Sequence, residues 1–356
     1  MRADVGSAAS DATEPEWRTL LRSSLRDPAE LASRLELPDD WLAGSGEAQR
    51  AFPLRVPEPY LRRIEPGNPH DPLLRQIWPS VAESLPQPPG FVADPLAEHP
   101  AAHRGSHHSR RPRQPNALLH KYHNRALLLT TGACAIHCRY CFRRCYPYHE
   151  SGSWRRALTE LHGLEAAGRP VPAEIILSGG DPLLLDDARF ADLLSGLEAI
   201  ASIERLRLHT RVPIALPQRV TPPLLAQLAN SRLQIVTVVH TNHAREIDSE
   251  VADALSELRS VSAVLLNQAV LLHDVNDDVE SLTELSERLF TCGALPYYLH
   301  LLDPIIGAAH FQVEERRAQA LAGALAARLP GYLVPRLARE EPGATAKRVL
   351  AITPPV

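Results

Sequence analysis

The chain has 356 residues, of which 44% are hydrophobic, and its formal net charge is -4 at pH 7. This size allows a large core, and the slightly acidic balance argues against extended binding to nucleic acid or to an anionic membrane. The N-terminus lacks the basic and apolar regions of a signal peptide, and no run of about 18 apolar residues could span a membrane. We therefore expect a cytoplasmic protein with no membrane partner and no direct nucleic-acid binding.

The first hundred residues contain helix-like segments that proline-rich links interrupt. EPEWRTLLRSSL, DPAELASRLEL and DPLLRQIWPSVAESL have helical patterns, whereas links such as PQPPG stop a helix. We predict a helical N-terminal region at 1–100. A His/Arg-rich loop and linker follows at 101–120, because AAHRGSHHSRRPRQ (101–114) is nearly free of apolar residues. A mobile loop is favoured there over a dedicated anion or partner site.

From Arg125 onward, short leucine-rich or β-branched runs alternate with amphipathic segments of helical period. Each intervening segment is long enough to form the crossover helix of a parallel βαβ unit. The pattern predicts an α/β fold at 121–356, a partial (β/α)6 TIM-like barrel. Its six strands are expected in RALLLTT, EIILSGG, RLRLHTR, LQIVTVVHT, AVLLNQAVL and LPYYLHLLD.

Polar residues follow the ends of these runs, which is where a parallel barrel carries its chemistry. We expect their side chains to meet at one mouth of the barrel. They are the cysteine segment after the first run, Ser178-Gly-Gly-Asp181 after the second, and then Arg211, His240 with Asn242, Gln268 and Asp303.

Three of the five cysteines, Cys134, Cys138 and Cys141, form a C-x3-C-x2-C segment directly after the first run. Three thiolates on one short loop can hold three irons of a cubane cluster and leave the fourth iron open to a small molecule. The spacing favours such an open cluster over a structural zinc site but leaves both possible. For zinc, the fourth ligand would have to come from Cys145, His137 or His149.

With Tyr140 before its third cysteine, this segment resembles the motif of the radical S-adenosylmethionine superfamily. Over about 56–347 the chain resembles the lysine 2,3-aminomutases. The resemblance implies a barrel of the radical S-adenosylmethionine type and an isomerase with a [4Fe-4S] cluster, S-adenosylmethionine and pyridoxal phosphate. It rests on EPYLRRIEPGNPHDPLLRQ, HKYHNRALLLTTGACAIHCRYCFRR, ILSGGDPLL, TRVPIALPQRVT, NQAVLLHDVND, PYYLHLLD and GYLVPRLAREEPGATAK.

The resemblance also implies cofactor-binding roles for individual residues. Cys134, Cys138 and Cys141 would hold the cluster. Lys347 matches the family lysine that bonds covalently to pyridoxal phosphate and is the implied catalytic residue. The pyridoxal phosphate pocket would also include Lys121, Tyr122 and Arg125. The residues expected at S-adenosylmethionine are Ser178, Gly179, Gly180, Asp181, Arg211 and Gln268.

Charge complementarity to L-lysine is implied in the same way. Arg143 matches the family arginine that binds the substrate carboxylate, and Asp303 and Glu340 match the acidic positions that hold the side-chain ammonium. Glu340 replaces the more usual aspartate. The implied reaction begins when a 5′-deoxyadenosyl radical removes hydrogen from the β-carbon, to which the amino group then migrates. An electron donor such as flavodoxin or ferredoxin is an implied partner.

Clostridial members of the family have zinc-ligating cysteines in a C-terminal segment. This chain has no cysteine after Cys292, has Asn276-Asp-Asp278 at another zinc-ligand position, and ends at Val356, so we expect no structural zinc. The pattern resembles the bacterial branch that makes β-lysine for elongation factor P, an indirect partner through its lysine-ligating enzyme. The alternatives are free β-lysine metabolism, an aminomutase for another amino acid such as glutamate, and a non-catalytic iron–sulfur or zinc module.

Overall fold

The computed structural model describes residues 14–99 and 117–353, apart from the side chain of Lys121. Its N-terminal part forms short helices, as the sequence predicts, but the third predicted helix is a single turn followed by a 3-10 turn at Val81–Ser84. Pro79 lies between the two turns and has no N–H to continue a helix. The N-terminal helices are α1 (Glu16–Arg22), α2 (Pro28–Arg34), α3 (Ser45–Ala51), α4 (Glu58–Leu61) and α5 (Pro72–Arg75).

The remainder is built on one nine-stranded sheet in which the strands are neighbours in chain order. β2 to β8 are parallel, and the first and last strands pair antiparallel with their neighbours. The strands are β1 (Leu118–Tyr122), β2 (Arg125–Thr131), β3 (Glu174–Gly179), β4 (Arg205–Thr210), β5 (Gln234–Val239), β6 (Val264–Val270), β7 (Leu295–His300), β8 (Arg336–Arg339) and β9 (Arg348–Val349).

The α/β prediction is confirmed, and the six predicted runs form β2 to β7. A seventh parallel strand, β8, was not predicted from the sequence. This strand reads RLAR, so arginine rather than an apolar side chain stands at both of its ends. A run of this kind gives no hydrophobic signal, and β8 forms because its backbone pairs with β7.

Helices connect successive parallel strands, and most of them begin at a side-chain cap. Five crossover helices begin after a Ser, Thr or Asp whose side-chain oxygen accepts a hydrogen bond from the third helical N–H, which stabilises a helix by about 1 kcal/mol. The capping residues are Ser153, Asp186, Thr221, Asp248 and Asp278. The helices after β2 are α6 (Trp154–Ala166), α7 (Asp187–Glu198), α8 (Val212–Ala215), α9 (Pro222–Ala229), α10 (Ser249–Val261), α11 (Val279–Thr291) and α12 (Glu315–Arg328).

The strand register creates a buried layer through the middle of the sheet. One row of paired residues runs across five parallel strands, and every member of it is fully buried. On β4 and β6, buried positions alternate with half-buried ones. Because side chains alternate across a strand, the half-buried positions share one face and turn toward the cavity described below. The buried row is Leu128, Leu177, Leu208, Thr237 and Leu265.

A buried ion triad joins the N-terminal part to the loop after β2. The carboxylate of Glu83 lies 2.6 Å from Arg139 and 2.5 Å from Arg144, and all three side chains are at most 4% exposed. Arg139 also donates hydrogen bonds to the carbonyl oxygens of Phe52 and Ala48. Removal of one partner from such a buried ion pair costs about 3–5 kcal/mol, so the N-terminal part is firmly attached to this loop.

The N-terminal helices and β2 to β5 share a hydrophobic core, which includes Trp17, Leu31 and Tyr60. The proposed boundaries near residues 100 and 120 stay a prediction, because 100–116, with most of the His/Arg-rich segment, lie outside the described residues. No helix within the described ranges is both long and apolar enough to cross a membrane.

Candidate active site

One cavity of about 320 Å³ lies at the C-terminal ends of the parallel strands. The structure brings almost all of the predicted site residues together on its wall, while the side chain of Lys121 lies outside the described part of the chain. The predicted residues that line it are Cys134, Cys138, Cys141, Ser178, Gly179, Gly180, Asp181, Arg211, Gln268, Arg143, Asp303, Glu340, Tyr122, Arg125 and Lys347.

The three cysteines of the loop after β2 are free thiols on the cavity wall. Burial, together with the neighbouring Cys138, raises the pKa of the Cys141 thiol to about 11. The thiols are therefore protonated at neutral pH unless a metal replaces the proton, as it does when a thiolate binds iron or zinc. Three soft sulfur donors in one cavity fit three irons of a cubane cluster.

The candidates for a fourth zinc ligand are less well placed. Cys145 is exposed and lines a separate small pocket, and His149 is exposed. His137 does line the cavity, but its Nδ1 lies 2.7 Å from the carbonyl oxygen of Pro53 and its ring stacks on Phe52. The donor set at the cavity therefore fits the open cluster better than a closed zinc site.

The glycine-rich segment after β3 lies against the start of the cysteine loop. A Cβ atom on Gly179 would lie 2.5 Å from the oxygen of Thr131, and a Cβ on Gly180 would lie 2.2 Å from the oxygen of Ala133. Gly179 also has a φ of +120°, which side chains rarely tolerate. Only glycine allows this contact, which aligns backbone groups of the segment with the loop.

Asp181 closes the same segment, but its carboxylate is used within the fold. It accepts hydrogen bonds from the Thr210 hydroxyl at 2.8 Å and from the backbone N–H groups of Arg211, Val212 and Leu183. Burial raises the pKa of Asp181 to about 6, although these hydrogen bonds act in the opposite direction. The carboxylate thus fixes the end of β4 beside the glycine-rich segment.

Arg211 is the centre of a buried polar network. Its Nη2 donates to Glu246 at 2.8 Å and to Gln76 at 2.9 Å, and its Nη1 donates to the hydroxyl of Tyr140 at 2.5 Å. Asn242 donates to the same hydroxyl and to Gln76. Nε of Arg211 is buried and has no partner among the described residues, which suits contact with a bound ligand.

Three histidines at the C-terminal ends of β4, β5 and β7 form another part of the wall, His209, His240 and His300. Burial, with a smaller contribution from nearby positive charges, lowers the pKa of His240 and His300 to about 3, so both are neutral at pH 7. Gln268 lies between His240, at 2.9 Å, and His209, at 3.5 Å. Nε2 of His209 and Nε of Arg207 are buried without a partner among the described residues.

Lys347 forms an ion pair with Glu340 and lies with its Nζ 5.6 Å from the ring centroid of Tyr298. The carboxylate expected at the substrate ammonium therefore contacts the lysine expected at the cofactor. Nearby, the guanidinium of Arg125 stacks over Tyr122 at 4.9 Å. Within 14–99 and 117–353, Arg125 has no carboxylate partner, so its charge is available for an anion such as a phosphate.

Arg143 lies at the cysteine end of the cavity in a buried ion pair that the sequence analysis did not anticipate. Its Nε and Nη2 lie 2.7 and 3.1 Å from the two carboxylate oxygens of Glu98, and its Nη1 donates to Ser178 at 2.8 Å. Gln76, Glu246, His209 and His300 were likewise missed. The alternation in RLRLHT is a signal from which His209 could have been predicted, but no sequence pattern indicated the partners of Arg143 and Arg211.

We expect the contact between the glycine-rich segment and the cysteine loop to contribute to stability and to iron binding. Gly180→Ala is expected to lower the free energy of unfolding by about 1–3 kcal/mol, because its Cβ overlaps a backbone oxygen. Displacement of the loop should also reduce the iron bound after anaerobic reconstitution. Gly163→Ala, where a Cβ meets nothing within 4 Å, is the control and should keep wild-type iron content. Equal stability and iron content in both variants would refute the importance of this contact.

No protein-family model matches the chain. A crystal structure of a radical SAM methyltransferase from Sphaerobacter thermophilus is similar over 62% of this chain and 68% of its own, at 18% identity and a TM-score of 0.46. A similarity of this extent carries no functional argument.

Curated relatives are far more similar. The chain is 46% identical over 337 residues to the L-lysine 2,3-aminomutase of Escherichia coli K12, covering 94% of each protein. It is 44% identical to the enzyme of that name from Haemophilus influenzae, over 95% of this chain and 96% of the relative. Identity to the Clostridium subterminale enzyme is 29%, over 97% of this chain and 80% of the relative. The chain belongs to the L-lysine 2,3-aminomutase family.

Proposed function

We propose that this chain converts L-α-lysine to β-lysine with a [4Fe-4S] cluster, S-adenosylmethionine and pyridoxal phosphate. The observation that carries the proposal is the single cavity lined by three cysteines, a glycine-rich segment, Lys347 and charges for both ends of an amino acid. Radical transfer between two bound molecules requires that the reacting atoms be held in contact, and a cavity shared by both molecules supplies this condition.

Each group of residues has a distinct part in this proposal. Cys134, Cys138 and Cys141 would hold the cluster, and the backbone at Gly179 and Gly180 would bind S-adenosylmethionine. When bound, the cluster and S-adenosylmethionine supply a carbon-centred radical, and pyridoxal phosphate supplies the carbonyl that carries the migrating amino group.

The part of the cavity wall around Arg125 and Lys347 is proposed to hold pyridoxal phosphate. Arg125 has no carboxylate partner among the described residues, so its guanidinium can bind the phosphate with two parallel hydrogen bonds. Lys347 must release a proton from Nζ before its amine can bond to a carbonyl, and the carboxylate of Glu340 is the adjacent proton acceptor. The neutral His300 adds no positive charge beside this amine, since its pKa is lowered to about 3.

Recognition of lysine is proposed to depend on charges of opposite sign on the cavity wall. Arg143 binds the carboxylate, and Asp303 and Glu340 bind the side-chain ammonium. Once Lys347 has lost its charge and Glu340 has passed the accepted proton to solvent, the Glu340 carboxylate can pair with the substrate ammonium instead. A glutamate-type substrate is disfavoured, because its second carboxylate would meet two acidic side chains.

The proposed activity is tested by anaerobic reaction of the reconstituted protein with L-lysine, S-adenosylmethionine, pyridoxal phosphate and dithionite, with mass spectrometry of the products. We expect β-lysine and 5′-deoxyadenosine. Cys138→Ala and Lys347→Ala should each reduce β-lysine formation by more than about 1000-fold, because each removes a group that bonds directly to a cofactor. A wild-type protein that forms 5′-deoxyadenosine but no β-lysine would contradict the lysine assignment.

We further propose that the β-lysine serves the modification of elongation factor P, with flavodoxin or ferredoxin as the electron donor. The high identity to the E. coli and H. influenzae enzymes over nearly the whole of both chains supports placement in the same branch. Deletion of the gene should abolish the β-lysyl mass increment on elongation factor P, and the wild-type gene but not the Cys138→Ala variant should restore it. Unchanged modification in the deletion strain would favour free β-lysine metabolism.

A further inference from the structure

The ion pair between Glu98 and Arg143 is one of the most deeply buried in the cavity wall. Their side chains are 3% and 6% exposed, and two hydrogen bonds of 2.7 and 3.1 Å join the carboxylate to Nε and Nη2 of the guanidinium. Both residues line the cavity. Glu98 comes from the N-terminal part of the chain, 45 residues before Arg143, and no role for it follows from the proposed function above.

The contacts leave a defined part of Arg143 for a ligand. A guanidinium has five N–H donors. Glu98 accepts from Nε and Nη2, and Ser178 accepts from Nη1 at 2.8 Å. Among the described residues no other acceptor is bonded to this side chain, so one N–H on Nη1 and one on Nη2 remain available. Two N–H groups on adjacent nitrogens suit one carboxylate.

Two arrangements of a substrate carboxylate are conceivable, and the hydrogen bonds of Arg143 decide between them. In an exchange, the substrate would break both buried, charge-assisted hydrogen bonds between Glu98 and the guanidinium, at 2.7 and 3.1 Å, in order to form its own. In an addition, Glu98 stays in place and the substrate binds the two remaining donors. Addition keeps the existing hydrogen bonds and uses N–H groups that no described acceptor occupies, so it is the favoured arrangement.

We infer that Glu98 is a positioning residue for substrate carboxylate recognition, an inference that rests on the proposed function. It holds Arg143 in one rotamer before the substrate arrives, so a long flexible side chain loses no further freedom on binding. It also neutralises the buried guanidinium of Arg143. The substrate carboxylate, as the second anion on this side chain, can then bind and dissociate. Glu98 acts through Arg143 and needs no contact with the substrate.

The test compares binding of L-lysine with binding of cadaverine, which lacks the carboxylate. Equilibrium dialysis of the anaerobic protein, loaded with cluster and pyridoxal phosphate but without S-adenosylmethionine, measures both dissociation constants in the absence of turnover. Glu98→Gln is expected to weaken L-lysine binding on the order of tenfold and to leave cadaverine binding unchanged, because only the carboxylate end loses its organised partner.

Glu83→Gln is the matched control, because it removes another buried carboxylate that pairs with arginines of the same loop. A general loosening of the loop should weaken both ligands in parallel, whereas the Glu98 effect should fall on L-lysine alone. Glu98→Asp keeps the charge with a shorter reach and should restore part of the preference for L-lysine. It replaces Glu98→Gln as the test variant if the latter does not fold.

The outcomes separate this inference from the proposed function. Wild-type protein that does not bind L-lysine would contradict the proposed function itself. Wild-type protein that binds L-lysine, with a Glu98→Gln variant that keeps the same preference over cadaverine, would overturn only the role of Glu98. Tighter L-lysine binding by Glu98→Gln would also overturn it, since Glu98 would then be a competitor for Arg143.

Discussion

The buried pair of Arg211 and Glu246 is the interaction on which the rest of the site depends. Arg211 is 8% exposed, Glu246 is fully buried, and their side chains lie 2.8 Å apart. Gln76 from the N-terminal part and Tyr140 from the cysteine loop bond to the same guanidinium. One charge pair therefore holds together the end of β4, the turn after β5, the cysteine loop and the N-terminal part. An uncompensated charge at this depth would cost several kcal/mol, so the four segments must assemble together.

A second constraint is that the cavity wall carries many charges that are already balanced. Paired charges are cheaper to bury than isolated ones, and they keep their geometry before a ligand binds. Arg125 differs, because it has no carboxylate partner among the described residues, and this makes it the natural position for a bound anion. The balanced pairs with at least one member on the wall are Arg143 with Glu98, Arg211 with Glu246, Arg207 with Glu174, and Lys347 with Glu340.

The sequence was sufficient to predict those features of the fold and the site that leave a local pattern. The apolar runs of β2 to β7 and the cysteine spacing are visible within a few residues of one another, and the structure places the cysteines and the glycine-rich segment on one cavity. β8 was missed because it is short and rich in arginine. Glu98, Gln76 and Glu246 were missed because their partners lie 45, 135 and 35 residues away, and no local pattern specifies a partner at such a distance.

The central claim is that one cavity serves both radical formation and amino migration. The most direct measurement is a reaction with L-lysine that carries deuterium at carbon 3 and ¹⁵N at the α-amino group, with mass spectrometry of 5′-deoxyadenosine and of the product. The account predicts deuterium in 5′-deoxyadenosine and ¹⁵N bonded to carbon 3 of β-lysine. Formation of β-lysine with 5′-deoxyadenosine that contains no deuterium would contradict it, because the two molecules would then not have reacted in the same cavity.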